Sequence, residues 1–378
     1  MKILYINDFE DGGGAETIFN LTYNLFKENA KKIILDNLIP KNKIIRFISK
    51  FFFDPILYFK IKKMIKDYNP DIIHLHNYNL APLTVLLAVK GYNTVQTIHA
   101  SGQICPSAWG VYKKTYEKCN LKPNLNKCIK NCFYNKPKFL SIPYYIWHKS
   151  IVFLRKKIIK YFIFPSEALK KSFEKNSFKN LYVLRNPSPY SNNTRIRNYN
   201  KKNNIILYVG KLIEMKGAHL LVDVLKNLDN LKNWKFIFIG DGDLKKYLEE
   251  KVKNDKRFVF LGWVNHRNLK NYYNQAKILV VPSIYFENYP TVILEGLFFN
   301  NIIIGSDRGG IPEMINDKLI FKIYDRRNNN LKEKILEIIN NYEKYKKISK
   351  RDKENILKYT LDKYKDKLKK IYKKVLEK

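Results

Sequence analysis

Two glutamates, Glu287 and Glu295, stand eight positions apart, with the predicted start of a helix between them. The preceding run, Ile278–Ser283, is almost wholly apolar and predicts a buried strand. Pro290 suits the first helical turn, where a missing N–H group costs nothing. One carboxylate in the loop and one in the second helical turn could bind the hydroxyl groups of a sugar and of a ribose. Spacing alone leaves a helix cap followed by a surface glutamate as an equal alternative.

Two predicted strand-to-helix loops could hold a phosphate. The backbone of the first loop would face the carboxyl end of its strand, where α/β sheets bind anions. In the second loop, Lys211 and Lys216 are framed by Gly210 and Gly217, and two ammonium groups there could neutralise a departing diphosphate. The alternative is that two lysines in a lysine-rich chain have no such role. The first loop consists of Asn288, Tyr289, Pro290 and Thr291.

Five motifs in chain order resemble those of the family 4 glycosyltransferases, which have the GT-B fold. Each motif is weak by itself, and their order from residue 2 to about residue 325 makes the resemblance specific. The motifs are Gly12-Gly13-Gly14-Ala15-Glu16, the G-[RK]-x4-K-G loop from Gly210 to Gly217, Gly240-Asp241-Gly242-Asp243, the E-x7-E pair Glu287 and Glu295, and Gly309-Gly310-Ile311-Pro312-Glu313.

The resemblance implies an α/β fold of two Rossmann-like, doubly wound parallel-sheet domains with an interdomain cleft. It also implies a retaining transfer of a sugar from a nucleotide-diphosphate donor to a lipid-linked or surface-polysaccharide acceptor. No protein nucleophile is evident, so the departing diphosphate would take the acceptor proton. Two rival interpretations share the fold: a sugar-nucleotide epimerase, and a non-catalytic basic protein that binds membranes or polyanions.

The resemblance also assigns roles to individual residues. The predicted catalytic residues are Glu287 on the donor sugar, Lys216 and Lys211 on the diphosphate, and His99, which would bind the donor sugar. The family commonly has Asp after this histidine, and Ala100 stands there instead. The predicted donor-binding residues are Gly13, Gly14, Gly210, Asn288, Tyr289, Pro290, Thr291, Glu295 on the ribose, and Val264 near the base.

Metal sites have two candidates in the sequence. Asp241-Gly242-Asp243 is formally a D-x-D motif, but it follows an apolar strand and fits a turn better, so we expect no catalytic metal. Four cysteines fall within residues 105–132, and the last pair has ligand-like spacing. The cysteines of this insert are Cys105, Cys119, Cys128 and Cys132. They could bind a structural zinc ion or an iron–sulfur cluster, remain thiols, or form disulfides, and the sequence leaves all of these alternatives open.

The 378 residues accommodate two domains of ordinary size. We expect an amino-terminal acceptor-side domain at 1–186 with the Cys-rich insert at 105–132, a linker at 187–204, a nucleotide-sugar-binding domain at 205–345, and carboxyl-terminal helices at 346–378 that pack back on the first domain. The predicted strands are Lys2–Asn7, Ile72–His76, Thr94–His99, Tyr161–Pro165, Tyr182–Arg185, Ile205–Gly210, Lys235–Gly240, Phe258–Leu261, Ile278–Pro282 and Ile302–Ser306.

The chain carries 71 Lys and Arg against 34 Asp and Glu, a formal net charge of +37. Such a charge favours polyanions or an anionic membrane surface. No helix-turn-helix, zinc-finger or RNP-type motif supports a nucleic-acid partner, and none is expected. No run of 18 apolar residues predicts a membrane span, and Met1–Ile6 fits a strand better than a signal peptide. The expected location is the cytoplasm, either in solution or peripherally on the inner face of the cell membrane.

Two segments combine basic and apolar residues. Lys41–Lys66 carries eight Lys or Arg and one Asp among isoleucines and phenylalanines, and Trp147–Phe164 has a similar composition. Both predict amphipathic helices. These helices would lie either in an anionic membrane interface or on the sheet of their own domain.

Overall fold

The computed structural model describes residues 1–188, 190 and 196–377. Part of the predicted linker, residues 189 and 191–195, lies outside the described residues. Within the described part the chain forms twelve strands in two sheets. The strands are β1 Ile3–Asn7, β2 Ala30–Ile34, β3 Ile72–Leu75, β4 Thr94–Thr97, β5 Tyr161–Phe164, β6 Leu181–Val183, β7 Asn203–Val209, β8 Lys235–Ile239, β9 Phe258–Phe260, β10 Ala276–Val281, β11 Ile302–Ser306 and β12 Ile320–Phe321.

Helices alternate with these strands. The α-helices in the described part of the chain are α1 Gly14–Asn24, α2 Leu35–Leu38, α3 Lys43–Phe51, α4 Pro55–Tyr68, α5 Pro82–Ala88, α6 Leu125–Asn131, α7 Lys138–Ile158, α8 Glu167–Glu174, α9 Ala218–Lys226, α10 Lys245–Lys251, α11 His266–Gln275, α12 Thr291–Phe298, α13 Leu331–Asn340, α14 Tyr342–Leu357 and α15 Leu361–Leu376. None of the helices described here is long and apolar enough to cross a membrane.

Both sheets are parallel and doubly wound. The first has the strand order β2-β1-β3-β4-β5-β6, and the second has the order β12-β11-β10-β7-β8-β9. The order reverses between β1 and β3 in the first sheet and between β7 and β10 in the second. In such sheets, ligands bind beyond the carboxyl ends of the strands at this reversal. The loops that follow β7 and β10 therefore stand at the switch point of the second sheet, and they are the loops whose residues the sequence singled out.

The chain forms two compact units. The first comprises 1–108, 120–186 and 361–378, and the second comprises 109–119 and 187–360. The second unit thus includes Trp109–Cys119, a segment that the sequence analysis placed in the first domain. Helix α14 also belongs to the second unit, whereas α15 belongs to the first, so the two carboxyl-terminal helices are divided between the units.

Helix α15 packs on the first sheet through a buried polar network. The Tyr372 hydroxyl lies 2.9 Å from the Tyr5 hydroxyl and 2.6 Å from Nδ1 of His74. On the other side of the ring, Nε2 of His74 lies 2.8 Å from Oγ1 of Thr97. Tyr372 and His74 are fully buried, so each of these polar atoms depends on its partner inside the protein. The network fixes one position of α15 on the strands of the sheet.

We predict that Tyr372→Phe lowers the free energy of unfolding of the first unit by about 1–3 kcal/mol, the cost of leaving buried polar groups unsatisfied. Urea denaturation followed by circular dichroism measures it. Tyr134→Phe is the matched control, because its ring is 43% exposed and should change stability by no more than about 0.5 kcal/mol. Equal stability of the two variants would contradict the assigned role of the network.

Candidate functional site

The loops after β7 and β10 approach each other at the switch point of the second sheet. Gly217 has a φ of +71°, and a Cβ atom there would lie only 1.9 Å from the carbonyl oxygen of Pro282. Glycine is therefore required sterically as well as conformationally. The N–H group of Ile284 donates to the carbonyl of Met215 at 2.9 Å. These contacts hold the residue before Gly217, Lys216, against the loop that carries Glu287.

Lys216 and Glu287 form an ion pair at the centre of this site, with 2.8 Å between Nζ and Oε1. Ser283 donates its hydroxyl to the same oxygen at 2.7 Å, and Tyr285 donates its hydroxyl to Oε2 at 2.7 Å. Lys216 also donates to the Tyr285 hydroxyl at 2.9 Å. The carboxylate is buried, and hydrogen-bond donors on both oxygens fix its orientation.

The pKa of Lys216 is raised above its ordinary value. Burial acts to lower the pKa, but the negative charge of Glu287 and the hydrogen bonds to Glu287 and Tyr285 outweigh it. Lys216 therefore keeps its positive charge throughout the physiological range. Its ammonium group uses two of its three N–H groups in the hydrogen bonds described above. One N–H group remains for a ligand.

The glycine pair Gly309-Gly310 supports Glu287 from a third loop. The N–H group of Gly310 donates to the carbonyl of Glu287 at 2.8 Å. Gly309 has a φ of +57°, and a Cβ atom there would lie 1.8 Å from the same carbonyl oxygen. Three motifs that are distant in the sequence thus meet around one glutamate: the loop after β7, the E-x7-E loop and the glycine pair.

Segment Trp109–Cys119 also contacts the Glu287 loop, and sequence reasoning missed this. The N–H group of Phe286 donates to the carbonyl of Trp109 at 2.7 Å. The buried guanidinium of Arg308 donates to the carbonyl oxygens of Tyr116 and Ile323, each at 2.7 Å. An arginine directly before the glycine pair was the available signal, but its partner lies far away in the sequence.

A second set of contacts anchors the same segment near Lys216. The Tyr116 hydroxyl donates to Oε1 of Glu214 at 2.5 Å, and Arg326 donates to that oxygen at 2.9 Å. The guanidinium of Arg326 lies over the Tyr116 ring, 4.8 Å from its centroid. Lys118 pairs with Asp307 at 2.7 Å. The segment is therefore attached to both loops of the site.

Glu295 lies in a different environment from Glu287. Its side chain is buried, and its carboxylate lies close enough to Tyr273 and Tyr190 to affect their pKa values. Burial raises the pKa of both phenols, and the negative charge of Glu295 adds to this effect. In the part of the chain that the structure describes, the Glu287 carboxylate accepts hydrogen bonds from Lys216, Ser283 and Tyr285, and Glu295 is not among its partners. A ribose-binding role for Glu295 stays a prediction.

The other predicted residues of the second unit are arranged around this centre. Lys211 is exposed, and its carbonyl accepts a 2.8 Å hydrogen bond from the Tyr208 hydroxyl. Asn288 and Tyr289 have buried side chains, and that of Tyr289 lies in the hydrophobic core. Val264 packs against the same core. The remaining predicted residues of this unit are Gly210 after β7, Pro290 as the N-cap of α12, and Thr291 as its first residue.

In the first unit, the predicted residues lie beyond the carboxyl ends of β1 and β4. Gly13 is the N-cap of α1, and its N–H group donates to Glu16 at 2.9 Å; Gly14 begins the helix. Nε2 of His99 lies 2.8 Å from Nδ1 of His76. Burial lowers the pKa of His99 to about 4, so the ring is neutral at physiological pH.

No metal centre forms among the described residues: no group of three or more His, Cys, Asp or Glu side chains is arranged to hold an ion. The prediction of a zinc or iron–sulfur site therefore has no support in the geometry. Cys119 belongs to the second unit, and Cys105, Cys128 and Cys132 belong to the first. The four side chains are thiols. At Asp241-Gly242-Asp243, the Gly242 N–H group donates to Asp241 at 2.8 Å within a turn after β8.

Comparisons with known proteins identify the family. The model described as Glycosyl transferases group 1 matches residues 191–355, and the model described as Glycosyltransferase Family 4 matches residues 24–187. Together the two matches span most of the chain. The chain belongs to the family 4, group 1 glycosyltransferases.

Individual relatives of this glycosyltransferase chain cover parts of it. An uncharacterized glycosyltransferase of Methanocaldococcus jannaschii, MJ1178, is 33% identical over 172 residues, which are 45% of this chain and 48% of that protein. The Campylobacter jejuni enzyme named GalNAc-alpha-(1->4)-GalNAc-alpha-(1->3)-diNAcBac-PP-undecaprenol alpha-1,4-N-acetyl-D-galactosaminyltransferase is 34% identical over 151 residues, which are 39% of this chain and 41% of that protein. The chain thus spans less than half the length of these relatives.

A solved structure supports the fold over the whole chain. The crystal structure of Anabaena Alr3699/HepE in complex with UDP-glucose superposes with a TM-score of 0.72 at 15% sequence identity, and the match covers 98% of each chain. The two doubly wound parallel sheets accordingly form a GT-B fold, as the sequence predicted.

We predict that Gly309→Ala lowers the free energy of unfolding of the second unit by at least about 2 kcal/mol, because the added methyl group would lie against the Glu287 carbonyl and displace the loop. Gly91→Ala is the matched control. Its φ of +91° carries a comparable backbone cost, but a Cβ atom there has nothing within 4 Å. Urea denaturation followed by circular dichroism measures the change. Equal losses of stability in the two variants would contradict the assigned role of the glycine pair.

A second prediction concerns pH. The folded pKa of His99 is about 4, against 6.5 for the unfolded chain. Between these values the unfolded chain takes up a proton that the folded protein does not, so acid favours unfolding. The stability contribution is complete above pH 6.5, and about 2 kcal/mol is lost by pH 5. His99→Asn should lose less stability than wild type between pH 7.5 and 5 in urea denaturation. Equal losses of stability in wild type and in the His99→Asn variant would contradict the lowered pKa of His99.

Proposed function

We propose that the chain is a retaining glycosyltransferase that moves a sugar from a nucleoside-diphosphate donor to a hydroxyl group of an acceptor. The observation that carries the proposal is the Lys216–Glu287 pair, oriented by Ser283 and Tyr285 at the switch point of the second sheet. The ammonium group of Lys216 suits the diphosphate of such a donor, and the carboxylate of Glu287 suits the hydroxyl groups of its sugar.

Lys216 would stabilise the leaving group. Its pKa is raised, so it presents a full positive charge where the diphosphate gains negative charge as the glycosidic bond breaks. Lys211 is exposed in the same loop and would add a second positive charge. We propose that these two lysines supply the countercharge without a catalytic metal ion.

Glu287 would position the donor sugar. Its Oε1 accepts hydrogen bonds from Lys216 and Ser283, and its Oε2 accepts one from Tyr285. Because a carboxylate offers about four lone-pair sites, Oε2 can accept a further hydrogen bond from a sugar hydroxyl. The acceptor oxygen would form a bond to the anomeric carbon on the face from which the diphosphate departs. The carbon–oxygen bond to the diphosphate breaks with its electron pair on the diphosphate, and the acceptor proton passes to a diphosphate oxygen.

The remaining predicted residues complete the donor site in the proposal. Glu295 would bind the ribose, the backbone of Asn288–Thr291 and Gly210 the phosphates, and Val264 the base. In the first unit, Gly13, Gly14 and His99 would contact the donor. The complex of the structurally similar Anabaena protein with UDP-glucose supports a uridine nucleotide as the first donor to test.

We propose a lipid-linked or surface-polysaccharide precursor as the acceptor and the inner face of the cell membrane as the place of reaction. The supporting observation is the similarity to the Campylobacter jejuni enzyme, whose name specifies an undecaprenol-linked acceptor. The net charge of +37 agrees with work at an anionic surface.

Thermal shift with UDP, GDP and their glucose conjugates, in EDTA and then with Mg²⁺, tests the donor. In EDTA, we expect the nucleotides of one base to raise the melting temperature. In a transfer assay, Glu287→Gln and Lys216→Gln should each lower the rate of sugar transfer at least about 100-fold. Lys232→Gln, an exposed lysine of the same unit, is the control. A shift only with Mg²⁺ would contradict metal-free binding. Donor isomerised without an acceptor would favour the epimerase, and no shift in folded protein would favour a non-catalytic role.

A further inference from the structure

Helices α3 and α7 of the first unit are joined by an aromatic contact. The indole N–H group of Trp147 on α7 donates to the carbonyl of Phe51, the last residue of α3, at 3.0 Å. The centroids of the Phe51 and Trp147 rings lie 4.9 Å apart, and the centroid of the Tyr144 ring lies 6.3 Å from that of Phe51. The two basic, apolar segments of the sequence thus lie side by side on one unit.

Apolar side chains on both helices and on the start of α4 face outward. Ile44 and Ile56 each keep 70% of their surface exposed, and Phe47 keeps 58%. On α7, Phe139, Ile146 and Phe153 are 74%, 57% and 55% exposed, and their spacing of seven places them on one helical face. We call the exposed surface of α3, α7 and the first two turns of α4 the basic apolar face.

This exposure is unusual for an amphipathic helix that only supports its own sheet. Such a helix buries its apolar stripe and exposes charges, whereas here large apolar side chains point outward among lysines. Exposed apolar surface on this scale marks an interaction site. The contact between Phe51 and Trp147 holds the helices together before any partner arrives.

The charge around the basic apolar face is predominantly positive, and the acid that pairs with its Lys41 and Arg46 is Asp36. Residues 41–66 contain eight Lys or Arg and a single acid, Asp54, which is used to cap α4 and to accept the Ser49 hydroxyl at 2.7 Å. Helix α7 contains no Asp or Glu. A second copy of the chain would bring like charges together, which disfavours self-association. An anionic, apolar partner fits both properties.

A basic cavity adjoins the face at the end of α7. It has a volume of about 510 Å³, and the lysines that line it include Lys156, Lys157, Lys160 and Lys179, with no acidic residue in the lining. Lys157 connects the cavity to the face, because its ammonium group lies 4.5 Å from the centroid of the Phe153 ring. Phosphate groups suit the cavity, and acyl chains suit the apolar side chains beside it.

We infer that the basic apolar face docks on an anionic lipid bilayer, with Ile44, Phe47, Ile56, Ile146 and Phe153 in the acyl boundary and the lysines at the phosphates. Each surface cation strengthens binding near an anionic leaflet, and the apolar side chains add binding that salt does not screen. The inference rests on the proposed function for its purpose, which is to bring the enzyme to a lipid-linked acceptor.

Co-sedimentation of the full chain with vesicles tests this inference. Wild type should bind vesicles containing phosphatidylglycerol at least about tenfold more tightly than pure phosphatidylcholine vesicles, and part of this binding should persist in high salt. Phe47→Ser with Phe153→Ser should weaken binding at least about tenfold at any salt concentration. Lys156→Gln with Lys157→Gln should remove mainly the salt-sensitive part.

The control variant is Tyr247→Ser, an aromatic side chain of the second unit that is 56% exposed; it should bind vesicles like wild type. Vesicle binding by the Phe47 and Phe153 variant equal to wild type would overturn the inference. A changed oligomeric state of that variant, with unchanged vesicle binding, would also overturn it and assign the face to self-association.

The nucleotide thermal shift, measured on the same samples without vesicles, separates the two proposals. A normal nucleotide shift in protein that ignores anionic vesicles would refute the docking face and leave the transferase proposal standing. Vesicle binding without any nucleotide shift would support the docking face and refute the donor site. Because Phe47, Phe153 and Lys157 are exposed and Lys156 is half-buried, the variants should unfold close to the wild-type temperature.

Discussion

The ion pair between Lys216 and Glu287 is the interaction around which the second unit is organised. A largely buried positive charge is costly unless a carboxylate and further hydrogen bonds accompany it. Removing one partner of such a pair destabilises a protein by about 3–5 kcal/mol when the other charge stays buried. The loops after β7, β10 and β11 all contribute to meeting this requirement. The proposed binding of the donor depends on the hydrogen-bonding capacity that the pair retains in this arrangement.

Close backbone contacts explain why the motifs contain glycine. At Gly217 and Gly309 the neighbouring carbonyl oxygens occupy the space that a side chain would need. The glycines therefore act by allowing loops to approach one another, and the groups that we propose to bind the donor are their neighbours. This relation explains why the motifs were informative as a set. Gly309 is required by Glu287 of the E-x7-E motif, and Gly217 is required by Pro282, directly after the strand that leads into that motif.

Much of the fold followed from local patterns. The strands at 72–76, 235–240 and 302–306 were predicted within a residue or two, because buried parallel strands form short apolar runs. Strand β2, Ala30–Ile34, was missed because two of its five residues are lysines and it lies at a sheet edge. Strand β12 has only two residues, which is too short for any pattern.

The site was less predictable than the fold. The sequence singled out Glu287 together with Glu295, and Lys216 together with Lys211. The direct contact between Lys216 and Glu287 and the hydrogen bonds from Ser283 and Tyr285 depend on the packing of the loops. The buried setting of Glu295 beside Tyr273 could not be read from spacing. The cysteine spacing suggested a local metal module, whereas the chain crosses from one unit to the other between Cys105 and Cys119 and again between Cys119 and Cys128.

That crossing affects how the two halves of the chain could have been exchanged during evolution. A fragment that starts at residue 187 would contain the second sheet but would lack Trp109–Cys119. In such a fragment the Arg308 guanidinium would lose the Tyr116 carbonyl as a hydrogen-bond acceptor. The N–H group of Phe286 would likewise lose the carbonyl of Trp109. The second unit is therefore not a portable module. A natural or engineered recombination of glycosyltransferase halves would have to transplant the eleven-residue segment from the first half along with the second.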